Sequence, residues 1–155
     1  MQAQTNYWKK NKKKIIIFSF LTFFILCLFL IFFFFSIIKI KGQSMEPLLK
    51  NGAIKLAIKK SNYKKGDFII FKENDLYLVK MLVAKEGDHL IISNNHLFVN
   101  NIDLSHLFQG DFGDDLELII PQKQAFVLGV NLNFSYDSRN FGLIELSRIE
   151  SCIIL

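Results

Sequence analysis

The chain holds only two cysteines, Cys27 and Cys152. Cys27 lies inside an apolar run where a partner could hardly reach it, so no disulfide framework is expected and both read as structural. Histidine is scarce as well: His89, His96 and His106 are scattered, without the spacing of a metal centre, and neither a metal nor a cofactor is expected. Acidic residues are missing altogether from residues 1–41, which carry seven Lys at positions 9, 10, 12, 13, 14, 39 and 41. Residues 42–155 hold the other twelve Lys and Arg against all fourteen Asp and Glu. The net charge of +5 therefore belongs to the N-terminal region, and no nucleic-acid partner follows from it. Beyond residue 41 there is no internal repeat, and no stretch of twelve or more residues carries a 3.6-residue apolar period.

What is present first is a run from Ile15 to Ile38 with no charge, no Gly and no Pro. As a helix its 24 residues would span roughly 36 Å, enough to cross a hydrocarbon core of about 30 Å with some tilt. A cleaved secretory signal has a shorter apolar core and a small-residue cleavage site, whereas Lys39-Ile40-Lys41-Gly42 follows here. The run reads as a retained anchor contacting membrane lipid. Five Lys crowd residues 9 to 14 and only Lys39 and Lys41 follow closely, so the positive-inside bias makes residues 1–14 a cytoplasmic basic segment. Residues 15–38 are then the transmembrane anchor, and residues 39–155 an extracytoplasmic domain.

That domain alternates short apolar runs with turn residues. The runs are Ile54–Ile58, Phe68–Phe71, Leu76–Ala84, His89–Ile92, Leu97–Val99, Leu116–Ile120, Gln124–Gly129 and Leu143–Leu146. Between them stand Lys65-Gly66-Asp67, Glu86-Gly87-Asp88, Asn94-Asn95 and Gly110–Asp115. The expected fold is mostly β, a small antiparallel domain behind one N-terminal helix.

Three segments can carry chemistry. In Gly42-Gln43-Ser44-Met45-Glu46-Pro47, Gly42 permits an unusual backbone conformation and close approach of a substrate chain, while Pro47 fixes the exit from the turn. Ser44 there can present its hydroxyl and a backbone N–H to one carbonyl, combining nucleophile and oxyanion donor. Lys80 stands in Leu76–Ala84, where strand alternation puts it on one face with Leu76, Leu78, Leu82 and Ala84. Desolvation on such a face lowers an amine's pKa toward the range where it can take a proton from a serine, a pairing that needs no histidine. The third segment, Gly129 to Gly142, is polar and turn-rich. In it Asp137 and Arg139 are spaced to pair across a tight loop, and Ser135 or Ser138 can aim a lysine amine.

Together these segments resemble the bacterial type I signal peptidases. Gly42-x-Ser44-Met45-x-Pro47 is similar to the nucleophile box, Val79-Lys80 followed by Glu86-Gly87-Asp88 to the general-base box, and Leu97-Phe98-Val99-Asn100 to an aromatic-Val-Asn-Gly stretch. Ser135-x-Asp137-Ser138-Arg139-x-Phe141-Gly142 resembles the last box. The resemblance implies a serine endopeptidase of the inner (plasma) membrane that removes signal peptides from exported precursors, with Ser44 as nucleophile and Lys80 as general base. It implies that the Ser135 hydroxyl orients Lys80, that Asp137 and Arg139 support the loop, and that substrate approach and oxyanion binding fall to Gly42, Ser44 and Met45. The chain departs from the family pattern at Leu48, Met81, Asn101, Val130 and Leu132. Two further readings are a specialised processing peptidase of a conjugation or pilin system and a non-catalytic, membrane-anchored binding domain.

Overall fold

The computed structural model describes residues 2–59 and 62–154. It forms two compact units, residues 1–36 and residues 37–155. The first is the helix α1 (Gln2–Phe34), whose stretch Lys12–Phe34 is long and apolar enough to cross a membrane. Its large side chains from Ile15 to Phe34 are exposed. The helix stops four residues short of the expected end of the apolar run: Phe35–Lys39 is the strand β1. Phe35, Ile37 and Ile38 are apolar enough for either state, but aromatic and β-branched residues also suit a pleated strand. Composition alone could not place that boundary.

The second unit is an antiparallel β structure. Its remaining strands are β2 (Ile54–Ile58), β3 (Phe68–Glu73), β4 (Leu76–Lys85), β5 (His89–Ser93), β6 (His96–Val99), β7 (Ile102–Asp103), β8 (Leu116–Ile119), β9 (Gln124–Leu128), β10 (Ile144–Glu145) and β11 (Ile149–Ile153). One short helix, α2 (Ser138–Phe141), follows β9. Seven strands make a sheet in the order β1-β2-β11-β3-β4-β9-β10, and four make a second in the order β7-β6-β5-β8. The expected runs coincide with eight of these strands to within a residue or two. β1, the two-residue β7 and the C-terminal β11 were not anticipated.

Three tight hairpins show why the chain folds back where it does. Asn74-Asp75, Asn94-Asn95 and Asn100-Asn101 each place two successive residues at positive φ, between 45° and 65°. That is the type I′ turn, which matches strand twist and which Asn and Asp tolerate better than other side chains. Asn101 thus fills a left-handed position where glycine is the usual solution.

The main core lies between the sheets. Ile70, Met81, Val83, Phe126 and Leu128 of the larger sheet meet Leu90, Ile92, Leu97 and Val99 of the smaller one. A second cluster covers the opposite face of the larger sheet and contains Ile69, Phe71, Leu82, Ala125, Val127, Ile144, Ile149 and Cys152. Lys80 lies opposite Ile69 in the β3–β4 ladder and so belongs to that second face, between Leu78 and Leu82. The expectation that Ala84 shares this face is corrected. The β4–β9 register shifts between Leu82 and Ala84, and Ala84 joins the inter-sheet core instead.

Candidate active site

The site is built where β9 ends. Its last pairing with β4 is Leu128 opposite Met81, so the same register carried one step further sets Gly129 against Lys80. From Gly129 the chain runs on irregularly and then turns back over the strand it has left, because two side chains of the returning loop hold strand amides. The Ser138 hydroxyl accepts from the Val127 N–H at 2.9 Å, and an Asp137 carboxylate oxygen accepts from the Gly129 N–H at 3.1 Å. Asp137 also caps α2, accepting from the Arg139 N–H while its own N–H donates to the Asn140 side chain.

Docking that loop delivers Ser135 to the lysine. Lys80 Nζ donates to Ser135 Oγ at 2.9 Å. The alternative partner, Ser138, is occupied by Val127. Lys80 is only 3 % exposed. Burial dominates its acidity and lowers the amine from 10.5 to about 8, the nearby Asp137 carboxylate raising it in part and the Arg139 guanidinium lowering it again.

Asp137 is fully buried and paired with Arg139, whose Nε lies 2.9 Å from one carboxylate oxygen and whose terminal nitrogen lies 3.1 Å from the other. Two further guanidinium hydrogens go to the main-chain carbonyls of Asp111 and Leu132, each at 2.8 Å. The buried pair clamps three pieces of chain together.

Ser44 comes from the other side. It lies in the irregular turn after β1, half-buried, with the Met45 side chain fully buried beneath it in the inter-sheet core. Met45 can therefore offer a substrate only its main chain. The Ser44 carbonyl accepts from the Asn131 N–H at 2.9 Å, which fastens the turn to the segment leaving β9. Among the described residues the N–H groups of Ser44 and Met45 have no hydrogen-bond acceptor, whereas the Glu46 N–H donates to the Gln43 carbonyl. Gly42 has φ of +91° with open space around it, so its role in the turn is conformational.

The residue that sequence reasoning passed over is Gly129. A Cβ there would stand 2.2 Å from Ser135 Oγ and 2.7 Å from the Ser44 carbonyl oxygen. The Ser44 turn and the lysine's hydroxyl partner crowd against one point that only a hydrogen atom can occupy. Its position at the head of Gly129-Val130-Asn131-Leu132 was the available signal.

A serine turn beside a desolvated amine, on an antiparallel β domain that follows an apolar helix, has the make-up of a membrane-anchored serine peptidase that does without histidine. The family model described as signal peptidase, peptidase S26, matches residues 13–153. The chain is 34 % identical to signal peptidase IB of Staphylococcus aureus strain Mu50 over 71 % of each chain. It is 32 % identical to signal peptidase I P of Bacillus subtilis subsp. natto, over 65 % of this chain and 64 % of that one. A solved signal peptidase I from Enterococcus faecalis V583 shares the fold, with a TM-score of 0.52 at 22 % identity, covering 61 % of this chain and 98 % of that one. The chain belongs to the signal peptidase family, peptidase S26. Membership makes it a serine endopeptidase.

Proposed function

We propose that this chain removes N-terminal signal peptides from exported precursor proteins, with Ser44 as nucleophile and Lys80 as general base. The observation that carries the proposal is the Lys80 amine, buried, lowered to about 8 and held by the Ser135 hydroxyl at the rim where the Ser44 turn is fastened. In the neutral form Lys80 takes the Ser44 proton as Oγ attacks the scissile carbonyl, and the free N–H groups of Ser44 and Met45 receive the developing oxyanion. The resulting ammonium gives its proton to the leaving amine, so the peptide bond breaks and an ester to Ser44 remains. Water then attacks that ester, with Lys80 again as base, and frees the serine. Ser135 aims the amine. Asp137 and Arg139 hold the loop that carries Ser135.

The anchor reading accompanies this. Residues 15–34 lie in the bilayer, the lysine-rich residues 9–14 stay on the cytoplasmic side, and the β domain works on the outer face, where a bond just beyond a membrane segment emerges. The test is cleavage of a secretory precursor with an Ala-x-Ala site by the purified chain in detergent and lipid. Cutting at that site, lost in both Ser44→Ala and Lys80→Ala, is expected. A folded wild type that leaves the site intact would overturn the assignment and favour a dedicated substrate.

A further inference from the structure

Ser135 has a second side. Besides meeting Lys80, it forms a wall of an open cleft of about 390 Å³, shared with Phe112, Asp114, Asp115, Arg139 and Asn140. We propose that this cleft takes the residues immediately after the cleaved bond, and that Asp114 and Asp115 make it select a cationic side chain there. The inference rests on the peptidase reading above and adds a specificity to the leaving-group side.

The direction follows from the proton. Whatever protonates the leaving amine must touch it, and that group is the Lys80 ammonium. Lys80 Nζ in turn touches Ser135 Oγ. The new N-terminus of the product therefore forms against Ser135, and the chain that follows departs past it. An extended chain advances about 3.3 Å per residue, so the second to fourth residues after the bond reach the cleft's rim.

The charge of the rim follows from who is already paired. Arg139 is paired with Asp137, and four of its five guanidinium hydrogens go to that carboxylate and to two main-chain carbonyls. Asp115 caps the β5–β6 turn, accepting from the Asn94 N–H at 3.2 Å, and no cation pairs with it among the described residues. Asp114 is exposed, and no hydrogen bond or ion pair engages it among the described residues. Two uncompensated carboxylates thus border a cleft whose floor includes Phe112 and Leu116. The arrangement suits the apolar stem and charged head of a lysine or arginine and repels a glutamate.

The test is kcat/KM of the full chain in detergent on precursor-derived peptides that differ only in carrying Lys, Ala or Glu at the second, third or fourth residue after the bond. Wild type should prefer Lys over Glu by about fivefold at one of these positions, less at high salt, as for an exposed charge contact. Asp114→Asn should bring that ratio toward one and Asp114→Lys should invert it, both variants keeping the wild-type circular dichroism. A wild-type ratio near one at all three positions, or a ratio untouched by both variants, would overturn the inference. No cleavage of the Ala peptide by wild type would instead overturn the peptidase reading beneath it.

Discussion

Lys80 and Ser135 stand 55 residues apart in sequence and meet side chain to side chain at 2.9 Å. The amine is buried on a face otherwise lined by leucine and isoleucine, and the hydroxyl is the polar group that receives it there. The bond therefore decides both where the amine points and how its protonation is read in activity.

Because burial lowers Lys80 to about 8, the neutral base is absent at low pH and accumulates as pH rises through that value. Activity, measured as kcat/KM against pH, should climb with an apparent pKa near 8 and fall tenfold per unit below it. Lys80→Arg should be inactive throughout, since a guanidinium does not deprotonate in this range.

The same shift has a stability consequence of defined sign. The folded pKa lies below the unfolded one, so below pH 8 the folded state carries the full cost of a buried ammonium, and between pH 8 and 10.5 stability rises as the folded amine releases its proton first. Lys80→Met should thus stabilise the domain at pH 6, by on the order of 2 kcal/mol, while abolishing cleavage. Thermal unfolding of both forms at pH 6 and pH 10 would check it: the gain should shrink at the higher pH.

Ser135→Ala removes the group that aims the amine, whose hydrogen bond among the described residues is the one to that hydroxyl. A drop of about a hundredfold in kcat with little change in KM is expected, as for a misdirected catalytic group. A rise in KM with kcat unchanged would overturn the aiming role and leave Ser135 only its place in the cleft wall.

Gly129→Ala places a methyl 2.2 Å from Ser135 Oγ and 2.7 Å from the Ser44 carbonyl oxygen. The second contact is with backbone and cannot be relieved by a rotamer change, so the Ser44 turn and the Ser135 loop must separate. Activity should fall at least about a hundredfold while circular dichroism stays that of the wild type.

Asp137→Ala leaves the Arg139 guanidinium largely buried without its carboxylate, and orphans the Gly129 N–H. Destabilisation of about 3–5 kcal/mol is expected in urea unfolding. Losing both charges together, in Asp137→Ala with Arg139→Met, should cost less than the first change alone.

Much of the site could be read from local spacing. Ser44 sits between Gly42 and Pro47, Lys80 interrupts an apolar alternation, and Asp137 and Arg139 are close enough in sequence that pairing needs only a tight loop. The choice between Ser135 and Ser138 was not legible in this way, because both are short hydroxyls on one polar segment. It was decided by the Val127 N–H, which takes Ser138. The face of Ala84 was misjudged because alternation assumes an unbroken ladder, and the bulge after Leu82 breaks it. β7 and β11 escaped notice because two residues show no period and Ile149–Ile153 alternates weakly.

The sequence by itself determined the long apolar helix, the succession of short strands with Asn-rich hairpins, and which side chains are candidates for the chemistry. Each of these depends on hydrophobicity, backbone preference or functional group over a few neighbouring residues. Only the tertiary structure decided the depth to which Lys80 is buried, hence its acidity, and the crowding of Ser44 and Ser135 around Gly129. Those are properties of surfaces brought together from β4, the turn after β1 and the loop after β9. Desolvation and steric exclusion act between surfaces in contact, whatever their separation along the chain.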